Sequence, residues 1–402
     1  MPTDNIGSIF EKNRNVFSYQ ESSDFVLPRC IIGVEVELEN MKEASHFVHN
    51  GVNRDSDNPY FSFDAETRGI FFGTGYWNVK NDGSLRNNGV EFVTKKIFGK
   101  DLAVALNELN EYLAAITVPN SIPSDRCSVH IHLDVTDLNK NEYARLLIDY
   151  AIFENVLFNY CGVHRKENLY CLPFARSDDF KRTLSNILTS VEKDLDFKKH
   201  VNGFPKYSAL NLKATSTYGS LEFRLHGGTY DIMRVKEWIN IIMCLKKNCI
   251  GNSANNLHRE ISRFGISNYL EKVFKNYHQI LDYNECESDI IEGIRLAQDI
   301  LLYNNMKESS IDYFKNNTVL LPRETDIAEQ VDEYIIPYPL NKYMQRIDRD
   351  IDTPRFRYTM GNFFNDNIGD VQEHYDDEED YNEEDYDEGQ YDENDEYYDE
   401  GL

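Results

Sequence analysis

The chain has 402 residues, 41% of them hydrophobic and 13% aromatic, enough for one large or two ordinary domains around a sizeable core. Its net charge of −27 is concentrated at one end: residues 370–402 hold 18 of the 69 acidic side chains and no Lys or Arg, which leaves residues 1–369 with 51 acidic and 42 basic groups, a net of −9. A body of that charge is not built to coat nucleic acid, which needs clustered positive charge. No apolar run approaches the ~18 residues of a membrane span, and no basic-plus-apolar leader opens the chain, so no membrane partner is expected. The seven cysteines are odd in number and form no C-x-x-C pair, which fits reduced, buried thiols in a cytoplasmic protein.

Residues 1–28 are polar with scattered aromatics and read as an N-terminal arm. Residues 29–40 give the first strand. Within it, 33–39 (GVEVELE) sets Val34, Val36 and Leu38 against Glu35, Glu37 and Glu39, because successive strand side chains point to opposite faces. Residues 41–75 are rich in Gly, Asn and Asp and read as an irregular insertion. Residues 76–82 form a strand, Asp82-Gly83-Ser84 a turn, and 89–95 the antiparallel partner, carrying Glu91. Leu102, Ala105, Leu106, Leu109, Leu113 and Ile116 fall at helical spacing, so 101–117 is predicted helical.

Next, 127–134 (CSVHIHLD) alternates Val129, Ile131 and Leu133 with His130, His132 and Asp134. An amphipathic helix is predicted over 139–160, then a loop of unusual composition over 161–175 (CGVHRKENLYCLPFA). A helix over 177–197 and a strand over 206–212 lead into the third alternating strand, 220–226 (SLEFRLH). There Leu221, Phe223 and Leu225 oppose Glu222, Arg224 and His226. An apolar helix follows over 231–249. Residues 255–333 read as broken helix, and 341–364 are basic and aromatic without an assigned form.

Four segments result: the arm (1–28), a core (29–250), a helical extension (251–369) and the acidic, Tyr-rich tail (370–402). The tail has almost no aliphatic residues to offset its ordering entropy, and disorder is expected. Strand pairs interrupted by long helices predict an α+β fold with an antiparallel sheet.

The polar set of the three alternating strands is carboxylate, imidazole and guanidinium, not the Ser, Thr and Lys of an ordinary wet face. Two carboxylates ~4 Å apart repel by about 4 kcal/mol at an effective dielectric near 20, so a cluster of them requires cations. Carboxylate oxygens with one imidazole suit Mg²⁺ or Mn²⁺. Zinc would need further nitrogen or sulfur ligands, and no fitting spacing occurs. Metals beside an arginine fork are a common means of holding a transferring phosphoryl group. Each strand alone also fits a solvated face, and H-x-H alone a zinc half-site. All three together argue for a site.

The order GVEVELE, WNVKNDGSLRNNGVEFVT, CSVHIHLD, HRKENLYC, KYSALNL and GSLEFRLHGGTYD resembles the amidoligases, relatives of glutamine synthetase and glutamate–cysteine ligase. The likeness covers roughly residues 30–249. It implies a glutamine-synthetase-like curved antiparallel sheet with a polar concave face and helices packed outside. It also implies ATP-dependent joining of a carboxylate donor to an amine acceptor, small molecule or peptide, through an acyl phosphate. By position Glu35, Glu37, Glu91, His130 and Glu222 match metal ligands, His132 a substrate contact and Arg224 the phosphate-binding arginine.

Further candidate positions are Asp82 and Ser84 at the acceptor pocket, Arg165 and Lys166 toward ATP phosphates, and Lys206, Tyr207 and Asn211 near nucleotide or substrate. Each of the first two pairs equally fits a plain turn or an exposed basic pair. Cys127 falls on an apolar face and reads as core. Rival readings are a phosphotransferase of the guanidino-kinase type and an inactive scaffold on the same fold. The tail reads as a solubilising extension, a docking segment for a basic partner, or a substrate for the chain's own site.

Overall fold

The computed structural model describes residues 5–308 apart from 13–20, 51–59, 65–68, 117–122, 175–176, 190–193, 255–256 and 282. The elements run α1 (Ile6–Ile9), β1 (Ile32–Leu38), α2 (Lys42–Asn50), β2 (Phe61–Asp64), β3 (Gly69–Phe72), β4 (Trp77–Lys80) and β5 (Val90–Thr94). Then come α3 (Gly99–Ala115), β6 (Ser128–Asp134), α4 (Lys140–Cys161), α5 (Asp178–Thr189), α6 (Asp194–Asn202), β7 (Leu210–Asn211), α7 (Ala214–Tyr218) and β8 (Ser220–Gly227). Three long helices close the described chain: α8 (Ile232–Cys249), α9 (Leu257–Phe274) and α10 (Tyr283–Glu308).

The strands form one open antiparallel sheet in the order β2-β3-β4-β5-β1-β6-β8-β7, an α+β fold as expected. The three alternating strands are the adjacent trio β1, β6 and β8. Their apolar sets, Val34, Val36, Leu38, Ile131, Leu133, Leu221 and Phe223, are fully buried. α4 packs against β8 and α8 against β6, so the core lies between this face and the helices. Trp77 of β4 is buried with its indole N–H donating to Ala105 O of α3 at 2.8 Å, which satisfies its one polar atom. α4 starts at a capping box: Glu142 N donates to Asn139 Oδ1 at 3.0 Å, and Asn139 N to Glu142 Oε2 at 2.9 Å.

The described part of the predicted arm is seated on the core. Ile6 and Ile9 are buried, and Ile6 N donates to Leu138 O at 2.7 Å. The same holds for the described part of the helical extension. A buried network joins α4 to α9: Arg145 Nε donates to Asp149 at 3.0 Å, and its Nη2 to Glu260 at 2.7 Å and Tyr269 at 2.8 Å. α10 crosses α4 at Gly293, where a Cβ would lie 1.9 Å from Ile152 O, so the two backbones touch.

Three expectations need correction. Residues 41–75 are not irregular throughout: they hold α2 and the β2–β3 hairpin. These four-residue strands are held by a ring cluster of Phe61, Phe72 and Tyr112, a tertiary cause with little local signature. The helix over 177–197 is two, α5 and α6, and only Leu210 and Asn211 of 206–212 pair as strand. The predictions for 341–364 and the tail lie outside the described residues. Cys30, Cys127, Cys161, Cys171, Cys244 and Cys249 are buried, and among the described residues no helix is long and apolar enough to cross a membrane.

Candidate active site

Register builds the site. Across β4, β5 and β1 the facing residues are Lys80, Glu91 and Glu37. One step along β1, Glu35 faces His130 of β6. One step further, Gly33, His132, Glu222 and Asn211 follow each other across β1, β6, β8 and β7. Gly33 is bare for a reason: a Cβ there would lie 3.2 Å from that of His132. The three polar faces therefore converge, with β1 supplying two carboxylates at i and i+2.

Glu35 is the hub. Its Oε2 shares a hydrogen bond with His130 Nδ1 at 3.0 Å and its Oε1 one with His132 Nε2 at 3.2 Å. Burial alone would push the Glu35 carboxyl up, but the hydrogen bonds from His130 and His132 more than offset this and hold it well below the usual range. For His132, burial works against the charged form, while the bond to Glu35 prevails and raises it. Glu222 is likewise pulled down against its burial by His130, His132 and Arg224. Its Oε2 accepts from Asn211 Nδ2 at 2.6 Å, and its Oε1 pairs with Arg224 Nη1. Glu37 Oε2 accepts from both the N–H (2.8 Å) and the hydroxyl (2.6 Å) of Ser128.

Glu91 behaves differently. Burial, then the charges of Glu35 and Glu37, push its carboxyl up to about 8. The site thus holds more buried negative charge than the chain's own cations offset. Glu35, His132 and Glu222 each present a ligand atom, all within 4.8 Å of one another, and His130 Nδ1 lies 3.6 Å from Glu222 Oε1. Carboxylate oxygens with imidazole, and a carboxyl pushed up by burial and by its neighbours' charge, fit a divalent cation. His132 is the imidazole of this cluster, and His130 borders it. His130 is also tied to Ser128 Oγ at 2.7 Å, and His132 to Ser220 Oγ at 3.1 Å.

Arg224 sits at a β-bulge. Ile131 faces Phe223 but Val129 faces His226, so Arg224 and Leu225 together oppose His130. The extra residue corrects two expectations. First, His226 does not continue the polar face. Facing Val129, it is buried against the rings of Tyr160 and Trp238 at 6.1 and 5.9 Å, and burial pushes its imidazole down to about 4. Second, Arg165 is not aimed at a phosphate. It is buried, with Nε on Leu225 O at 3.2 Å, Nη2 on Arg224 O at 3.1 Å and Nη1 on Asp125 O at 3.2 Å. It supplies donors to the two carbonyls of the bulge and braces the strand beneath Arg224. Arg224 Nε is itself fixed on Tyr170 O at 3.1 Å.

The remaining predicted residues lie around this centre. Asp82 caps its own turn, accepting from Ser84 N at 2.7 Å, and its charge adds to the upward push on Glu91. Lys206 is exposed in the loop before β7, its Nζ 5.7 Å from the centre of the Tyr207 ring. Lys166 is half-buried, its Nζ donating to Asn159 Oδ1 at 3.4 Å. Glu39 accepts from Arg86 N at 3.0 Å, and Asp134 caps Thr136, so both serve the fold. Cys127 is fully buried and its thiol pushed up to about 12 by that burial, as a core residue.

Ser128, Ser220 and Tyr218 went unassigned in the sequence. The Tyr218 ring stands edge-on to His132 at 5.6 Å. The serines open or precede an alternating run at positions where a small polar residue reads as a turn.

An open antiparallel sheet, helices over one face and carboxylates, imidazoles and a guanidinium gathered on the other, is the arrangement expected of an amide-forming ligase. The chain belongs to the amidoligase family: the family model described as "Putative amidoligase enzyme" matches residues 31–245, and by that membership it is an amide-bond-forming ligase in class. The match runs from β1 into α8 and takes in every site residue named above. No curated protein and no solved structure matches the chain.

Proposed function

We propose that the chain is an ATP-dependent carboxylate–amine ligase that works with divalent cations and through an acyl phosphate. The observation that carries this is the convergence of Glu35, Glu37, Glu91 and Glu222 with two imidazoles and Arg224 on one sheet face. The four glutamates with an adjoining imidazole would hold Mg²⁺ or Mn²⁺. Bound there, the cations supply neutralisation of the triphosphate and of charge developing on the transferring phosphoryl group.

Arg224, fixed at Nε by Tyr170 O and from below by Arg165, presents its guanidinium beside Glu222 to phosphoryl oxygens. His132, its charged form favoured by Glu35, orients the substrate carboxylate. A carboxylate oxygen attacks the γ-phosphorus and ADP leaves. The amine nitrogen then attacks the acyl carbon, the C–O bond to phosphate breaks, and the nitrogen's proton leaves with the phosphate as the C–N bond is made. Holding these partners in line supplies much of the rate, up to ~7–11 kcal/mol.

The test is metal-dependent ADP release that requires both a carboxylate donor and an amine. Full activity in Glu222→Ala would overturn the assignment. A phosphorylated acceptor without amide would redirect it to a phosphotransferase, and no ATP binding to a scaffold.

A further inference from the structure

Arg224 is bracketed by two loops. Its Nε donates to Tyr170 O at 3.1 Å, and its backbone N to Ala209 O at 2.9 Å. The loops are also tied to each other, Leu172 N donating to Tyr207 O at 2.8 Å and Ala209 N to Leu172 O at 2.9 Å. Asn168 fixes the first loop further: its Oδ1 accepts from Tyr170 N at 2.9 Å and its Nδ2 donates to Asp125 O at 3.0 Å. The backbone beneath Tyr170 and Tyr207 is thus held at every turn.

Their side chains are not buried by this frame. Tyr170 is 56% exposed, Tyr207 44% and the neighbouring Leu169 53%. The two tyrosine rings meet edge to face, 5.4 Å apart at 79°, with Lys206 Nζ near the Tyr207 ring. An aromatic pair standing in water on a fixed backbone adds little to the fold, since aromatic stabilisation comes from burial. At 79° the two rings make a preformed corner with an open ring face, and the Tyr170 backbone carbonyl ties it to the arginine of the site, with a lysine at its edge.

We propose that Tyr170 and Tyr207 form the platform on which the purine base of the nucleotide stacks, with Lys206 and Arg224 toward its phosphates. This rests on the ligase reading above, and it assigns that site its base-binding end. An open aromatic ring face, with a second ring at its edge and a phosphate-directed guanidinium beside it, matches a molecule that is planar at one end and polyanionic at the other. It matches a carboxylate or an amine acceptor less well. Stacking is tolerant of base identity, so the platform secures affinity more than it reads sequence of substituents on the ring.

The experiment is calorimetric binding of ATP and of inorganic tripolyphosphate, each with Mg²⁺, to the full chain and to Tyr170→Ala, Tyr207→Ala and Tyr170→Phe. Each alanine variant is expected to lose about 5- to 150-fold in ATP affinity, with tripolyphosphate affinity unchanged and Tyr170→Phe within about twofold of wild type. Retained tripolyphosphate binding also reports that the variants fold. Unchanged ATP affinity in both alanine variants would overturn the platform while leaving the ligase reading intact, as would a parallel loss of both ligands. A wild-type chain that binds neither ligand would remove both.

Discussion

Two buried clusters in this molecule use the same kinds of side chain to opposite effect. Behind the sheet, Arg145 meets Asp149, Glu260 and Tyr269, and Lys272 adds a second cation on Glu260. Each carboxylate there has a fixed partner. Burial would raise Glu260, yet Lys272 and Arg145 pull it below its ordinary value. On the polar face, four glutamates share one arginine, two imidazoles and the exposed Lys80, and burial with the charges of Glu35 and Glu37 still drives Glu91 up to about 8. The first cluster is electrically closed and joins helices. The second lacks positive charge, and a site that lacks positive charge is one that can take it from outside.

The contrast can be broken by substitution. Arg145→Met should leave the buried Asp149 carboxylate without its cation and cost about 3–5 kcal/mol in a denaturant titration. A loss near zero would show that the cluster is not closed. Glu222→Gln should instead leave the fold intact and lower ligase activity by about 10²- to 10³-fold, because the group acts on charge in the transition state. Comparable losses of stability and activity would make the two clusters alike.

His226 sharpens the comparison, being a buried titratable group held down first by its burial and then by the cations Arg234 and Arg165. Its folded value, about 4, lies below the ordinary 6.5, so the unfolded chain binds more protons between those values. Stability should therefore fall as pH drops from 6.5 toward 4, by up to about 3 kcal/mol, and His226→Phe should flatten that slope. An unchanged slope in the variant would place the imidazole in water.

The smallest effect concerns Glu91. Its raised folded value means that ionisation opposes folding as pH rises from 4.5 through about 8. In chelator-treated protein at pH 9, Glu91→Gln should be more stable than wild type by about 1–2 kcal/mol, a part-exposed group being partly screened. Equal stabilities would indicate that the chain already balances its own charge there.

Much of this site was legible in the sequence because strand alternation is local. GVEVELE, CSVHIHLD and SLEFRLH each announce a polar face, and the short DGS turn announces the hairpin that brings Glu91 opposite Glu37. What alternation cannot report is pairing between strands. The bulge that turns His226 inward is a mismatch of β8 against β6, and neither strand alone contains it. Arg165 is a basic residue after a helix until the bulge carbonyls of Arg224 and Leu225 are set beside it. The β2–β3 hairpin rests on the ring of Tyr112 from α3, far along the chain from Phe61 and Phe72.

The central claim is that the glutamate-rich face is completed by divalent cations, and calorimetric titration of Mg²⁺ at pH 7 in two buffers of different ionisation enthalpy tests it most directly. The account predicts saturable binding with release of protons, because Glu91 must ionise as the cation enters, and loss of that binding in Glu35→Gln. Absence of binding at millimolar Mg²⁺, or binding that releases no proton and survives Glu35→Gln, would contradict it.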